Sequence, residues 1–457
     1  MNILNKTVRV GALAAALGVT SSGVSAMNTE DFLVWLKANQ TATAEFADGE
    51  VITFDTADKI RAFVPPGYQD EMIFEGMEVV IKDAGDISPP AVYKDATAKF
   101  QAEVGLAADG AIENYTAGVP FDPSTFVAGD VDSGTKMAWN FNYRWQHEGL
   151  RIDQVHWVWV REGGNHDDHE VMDTKYAPQY QGGGKFERLL AGPYHRVYFS
   201  FRSDLADENY EVQGKWSKGT EFRELTAFNE PFDIAGTAFL VLRHSNPHKA
   251  DDSWAYLPSL RRVRRISVEV KYDSLLGTDH TIEDFYCFAG RVLEHTWKYH
   301  GTARILAVAR SRNRDTFFYG PNGWTPKDDW ALREVHVFEQ NPKSGSHPYS
   351  SKFHMVDTQA GEAYYCNAFD RGGELWKIWQ LSKVFSDDPQ FQDEEGGVFK
   401  HAPTPVGMRV SAFQSINVID KQNKRGTLVP CYGVSYPDNS FKKVKRKLDV
   451  NYLTEGR

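Results

Sequence analysis

The chain has 457 residues, with 51 Lys and Arg against 62 Asp and Glu, a net charge of −11 at neutral pH. That balance repels phosphate backbones and argues against a nucleic-acid partner. No stretch after the N-terminal segment approaches the eighteen or so apolar residues of a spanning helix.

The first residues read as an export signal. Lys6 and Arg9 precede a small apolar run, Val10 to Val19, and Val24-Ser25-Ala26 supplies small residues for cleavage before Met27. No cysteine follows the apolar run, so the expected mature chain is periplasmic and carries no lipoprotein anchor. The expected division is a signal over 1–26 and one large domain over 27–457. That domain has a helix-containing part (27–135), a sheet core (136–386), and a loop with a C-terminal segment (387–457).

Phe32, Trp35 and Leu36 fall at helical spacing after Asn28 and Thr29, either of which can cap a short helix. A second helix is predicted after Pro89-Pro90, with Val92, Ala96 and Phe100 four apart, Tyr93 on the same stripe, and Gly105 as its end. After about residue 135 the apolar period becomes two, which predicts strands. Trp157 and Trp159 fall on one side of one strand, and Val197, Phe199 and Phe201 on one side of another. Further strands are predicted over 238–243, 261–271, 302–309, 333–339, 352–357, 362–369 and 376–382. Short turns between them favour antiparallel pairing. The fold expected is α+β: one large, curved antiparallel sheet, an incomplete barrel, with a few helices over one face.

Three cysteines, Cys287, Cys366 and Cys431, allow one disulfide in an exported chain, and the spacing does not choose among the three pairings. Asn165-His166-Asp167-Asp168-His169-Glu170 is the most metal-like cluster, but it matches neither H-E-x-x-H nor a calcium loop and reads as a polar connection. Gly182-Gly183-Gly184-Lys185 lacks the spacing and the hydroxyl of a phosphate loop. Neither a G-x-S-x-G elbow nor a G-x-G-x-x-G turn occurs in the mature chain, so no catalytic residue, metal or cofactor is assigned. Lys442, Lys443, Lys445, Arg446 and Lys447 form a basic run that reads as a solvated face able to touch anionic headgroups.

The loudest local signal is Trp254-Ala255-Tyr256-Leu257-Pro258-Ser259-Leu260-Arg261-Arg262-Val263-Arg264-Arg265-Ile266. On a strand its arginines face both ways. Asp251, Asp252, Glu283 and Asp284 flank it and are the expected partners in an ion-pair ladder, while one or two arginines at a cavity mouth could instead hold an acidic headgroup.

Read with Pro231-Phe232-Asp233-Ile234-Ala235-Gly236-Thr237 and Gly277-Thr278-Asp279-His280-Thr281-Ile282-Glu283-Asp284-Phe285, this word resembles the LolA/LolB-like lipoprotein-carrier superfamily. The resemblance is closest to its long branch of unknown function labelled "outer membrane lipoprotein-sorting protein". Val64 to Tyr68, Asn114 to Phe121, Trp330 to Val335, His347 to Ser350 and Asp370 to Lys377 extend it along the chain. The resemblance implies a half-barrel whose hollow face stays open for acyl chains. The ligand-binding residues expected there are Trp157, Trp159, Phe199, Phe201, Trp254, Tyr256, Arg262 and Arg264. It also implies a carrier for a lipid or other hydrophobic molecule, working beside an inner-membrane transporter and an outer-membrane protein. An envelope enzyme acting on a hydrophobic substrate, or a non-catalytic transporter adaptor, are the alternatives.

Overall fold

A computed structural model describes residues 27–164, 180–389, 407–435 and 441–455. The segment expected to be an export signal, the Asn165 to Glu170 cluster and most of the loop expected after Asp387 lie outside the described residues. Among the described residues, no helix is long and apolar enough to cross a membrane.

The N-terminal helix, α1 (Thr29–Asn39), begins at Asn28, whose side chain accepts from the Glu30 and Asp31 amides while Asp31 reciprocates. Its last residue fastens it: the Asn39 amide group donates to Ala62 and Arg304 carbonyls at 2.8 and 2.6 Å and accepts from the Arg304 amide. A second helix, α2 (Ala91–Phe100), buries Tyr93 and Ala96, with Val92 and Phe100 only half-buried. A third, α3 (Val131–Asn142), falls where strands were expected to start. Asp130 caps it by accepting from the Ser133 amide at 2.8 Å, and Met137, Ala138 and Phe141 form its buried stripe. A side chain at Gly134 would meet the Lys298 backbone at 2.5 Å, so α3 lies directly on a strand.

The strands are β1 (Val79–Ile81), β2 (Gly149–Arg161), β3 (Lys185–Tyr198), β4 (Thr220–Ala227), β5 (Ala238–His244), β6 (Asp252–Leu257), β7 (Arg262–Arg265), β8 (His295–Ala307), β9 (Asp329–Pro342), β10 (Tyr349–Asp357), β11 (Ala363–Asp370), β12 (Leu375–Phe385), β13 (Ser411–Asp420), β14 (Arg425–Leu428) and β15 (Cys431–Ser435). With Val51–Ile52 they make one 16-stranded sheet among the described residues. From β8 it runs β9, β10, β11, β12, β13, β14, β2, β3, β4, β5, β6 and ends at β7. The pairings are antiparallel except β1 on β9, and the sheet is not closed into a barrel. Two expected strands are shorter than their patterns. The second stops at Tyr198, leaving Phe199 beyond it and Phe201 at φ +63°, and the arginine strand ends at Arg265 before a 3-10 turn, Val268–Tyr272.

Both faces are covered, not one. Face A packs Phe32, Ile60, Phe63 and Tyr68 against Val158, Ile305, Val337, Phe353 and Ile378. At the far end of the same face, Val444, Leu448 and Leu453, from C-terminal helices α4 (Phe441–Lys447) and α5 (Tyr452–Glu455) and the turn between them, cover Leu225, Leu240 and Tyr256. Face B carries Trp157, Tyr194, Trp297, Phe338 and Trp379. It lies beneath α3 and a strap, residues 266–294, that contributes Phe285, Tyr286, Cys287 and Phe288. The hollow expected on the sheet is therefore filled over its middle. Gly182, Gly183 and Gly184 allow close backbone crossing against Gly320 to Gly323, which accounts for the glycine run.

Of the three possible disulfides, Cys287 to Cys366 forms, and Cys431 is a buried free thiol. The bond ties the strap to the middle of the sheet across 79 residues. Replacing Cys287 and Cys366 with Ala is expected to cost about 2–4 kcal/mol. Urea unfolding of the double variant beside the oxidised protein measures it, and an unchanged midpoint would contradict the clamp.

Candidate functional site

Three lysines project from face B into the interior, and each needs a partner because a buried ammonium is costly. Lys352 donates to Asp284 Oδ1 and to the Cys287 carbonyl, both at 2.6 Å. Lys377 donates to the Asp279 carbonyl at 2.9 Å, and Lys383 to Glu362 Oε2 at 2.6 Å. Tyr349 and Thr281 hydroxyls add donations to Asp284, each at 2.8 Å. Burial alone would raise the Asp284 carboxyl, but the Lys352 and Lys377 ammoniums and the Thr281 hydroxyl hold it below its usual range. Asp279, earlier in the strap, adds contacts to Arg425 at 2.6 Å and Thr427 at 2.7 Å.

A second cluster holds the strap at Glu283, which meets His347 at 2.8 Å and His295 at 3.3 Å. Against the pull of burial, these imidazoles and Lys271 keep its carboxyl well below the usual value. Glu283, Glu294 and His295 bring ligand atoms within 4.8 Å of one another, a spacing a metal could use. Lys271, paired to Glu294 and 3.7 Å from Glu283, already supplies the cation there.

Beyond this clamped region the strap bridges the last strands and leaves an open cavity of about 500 Å³. Phe239, Ala255 and Leu257 line it from β5 and β6, and Ile266, Val270, Leu275, Leu276 and Ile282 from the strap. Arg264, Arg265, Ser267, Asp273 and Ser274 are its exposed lining and form the mouth. The register explains the selection: Ala255 sits opposite Phe239 and Arg264, so all three face B, while Trp254 and Tyr256 face A.

The eight residues expected to bind ligand are thus dispersed. Arg264 lines the cavity mouth, and Arg262 is exposed on the same face of β7. Trp254 and Tyr256 pack on face A with the C-terminal helices, and Phe199 joins them against Trp216, ring centroids 5.3 Å apart. Trp157 is buried against Phe228, and Trp159 lies beside Gly277 of the strap. Phe201 packs with Tyr115 and Tyr143. The expected arginine ladder is corrected too. Arg265 pairs with Asp252, but Asp251 goes to Arg243 and Arg291, and Glu283 and Asp284 go to the groups above. Sequence reasoning missed Phe239, Ala255, Leu257 and the strap residues. Alternation along 254–257 would have exposed the Ala255/Leu257 side, had size not favoured the aromatics.

The family described as "Protein of unknown function (DUF1329)" matches residues 51–401. The chain belongs to this family. Every sequence word that carried the resemblance lies within that span, as do the strap and the strands around the cavity. No curated protein matches the chain. Among solved structures, the chain is similar to a candidate outer membrane lipoprotein-sorting protein domain from Vibrio parahaemolyticus, at 17% identity and a TM-score of 0.43, covering 71% of this chain and 100% of that one. A DUF1329 family protein from Desulfovibrio piger gives 17% identity and a TM-score of 0.44 over the same shares, 71% and 100%. A LolA superfamily protein from Nitrosomonas europaea gives 13% and 0.34, covering 68% of this chain and 94% of that one.

The clamp makes a measurable claim about Lys352. Lys352→Met leaves Asp284 buried without its ammonium and is expected to cost about 3–5 kcal/mol. Adding Asp284→Asn should recover part of that loss, because the uncompensated charge is gone. Chemical denaturation of the wild type, the two single variants and the double variant checks this, and additive losses would refute the pairing.

Proposed function

We propose that the protein is a periplasmic carrier or binding protein for a lipid or another hydrophobic ligand, exported by its N-terminal segment and serving an envelope transport system. The observation that supports this reading is the cavity between β5, β6, β7 and the strap. Its volume lies within the range of small-molecule sites, its walls are mostly apolar, and its polar groups gather at the mouth. An acyl chain entering it would gain roughly 0.8 kcal/mol for each buried methylene. About ten methylenes therefore give about 8 kcal/mol, micromolar binding before ordering costs. No covalent step is needed. Arg264, exposed at the mouth and without a carboxylate partner among the described residues, suits an acidic headgroup, so the preferred ligand is an anionic amphiphile.

Native mass spectrometry of protein purified gently from the periplasm tests the reading. The expected result is a co-purifying lipid that is absent from Ala255→Trp, whose indole would occupy the cavity. Arg264→Ala should weaken an anionic amphiphile about tenfold, as for loss of one charged hydrogen bond, and leave a neutral one unchanged. An Ala255→Trp protein that folds and still carries the same lipid would place the ligand elsewhere.

A further inference from the structure

The cavity lies against the last strands of the sheet, and the end of those strands where their turns gather has an unusual surface for an acidic chain. Ala227 pairs with Ala238, Ala238 with Tyr256, and Leu257 with Arg262, so the loops over 228–237 and 258–261 leave the sheet at the same end. Each loop carries an exposed apolar side chain: Phe232 is 98% exposed and Leu260 41%. Arg261, Arg262, Arg264 and Arg265 follow Leu260, all exposed, and only Arg265 has a carboxylate partner among the described residues. Over face A of the same strands, α4 exposes Lys445 and Arg446. Positive charge thus gathers on both sides of these strands although the whole chain carries −11.

Single exposed apolar residues are ordinary. Two at one end, beside an arginine cluster, have a common use. We propose that this end docks on an anionic lipid bilayer, its arginines on the headgroups and Leu260 and Phe232 entering the boundary between headgroups and acyl chains. Charge complementarity selects the surface: cations near a membrane are drawn to anionic lipids, and apolar tips gain there what they lose in water. A nucleic acid would use the arginines but not the tips. The inference stands apart from the ligand reading, since a surface can dock whatever the cavity holds.

Flotation of the whole protein with phosphatidylcholine vesicles, with and without phosphatidylglycerol, tests it. Binding is expected on the anionic vesicles and should weaken as salt shortens the screening length. Arg261→Gln and Arg262→Gln, neither of which lines the cavity, should each lower binding about fivefold, and Leu260→Asp should lower it further. Leu260→Cys carrying an environment-sensitive dye should shift to the blue on anionic vesicles only, and this needs no change to the arginines. Ala255→Trp should dock as the wild type does, so loss of ligand and loss of docking are separately visible. Failure to bind, equal binding to both vesicle types, binding unaltered by the three substitutions, or a dye that does not shift would overturn the proposal.

Discussion

Face B is organised by the pairing of buried lysines with partners that mostly come from the strap. A sheet that presents Lys352, Lys377 and Lys383 inward cannot leave that face to an apolar guest, because each unpaired ammonium would cost several kcal/mol. Asp284 and the Asp279 and Cys287 carbonyls answer two of them, Glu362 the third. The strap must therefore lie flat on the sheet's middle, and the disulfide fixes it there. Among the described residues, space of about 500 Å³ for a hydrophobic molecule remains where the strands change character. On β5 and β6 the inward positions are Phe239, Ala255 and Leu257, and the strap passes over them with Ile266, Val270 and Leu276. Charge placement decides where the cavity lies.

Much of this was legible in the chain. The period-two stretches became strands, Asn28 and the Pro89-Pro90 pair marked helix starts, and the arginine word became the edge strand with its turn. What misled was proximity. Nearness in sequence points Asp251, Glu283 and Asp284 to the arginine word, whereas the fold delivers Glu283 to His295 and His347 and Asp284 to Lys352, 68 residues away. Such long-range pairings leave no local mark. A weaker signal was present: Lys352 and His354, then Lys377 and Trp379, alternate in step within predicted strands, as charged residues do when they face an interior that supplies partners. The ligand residues failed for a different reason. Size points to the large aromatics, but Trp157, Phe199, Trp254 and Tyr256 fill space, and a cavity survives where Ala255 and short aliphatic chains do not.

The position of the cavity at the sheet's last strands also bears on how it could fill. β7 is an edge, and an edge exposes unpaired backbone groups that natural sheets blunt with charge. Four arginines beside the turn more than meet that need, and lysines would meet it without the guanidinium's fit to carboxylate and phosphate. The same strand forms one rim of the cavity. Its opposite rim, Ser267 to Ser274, is 3-10 turn and loop, tied through Lys271 to Glu283 and Glu294 and flanked by the Ile266 and Leu275 amides, which donate to the Ser253 and His280 carbonyls. Arg264 belongs both to the cavity mouth and to the arginine cluster, so a membrane held by that cluster would lie close to the opening, and a hydrophobic molecule would cross little water between the two.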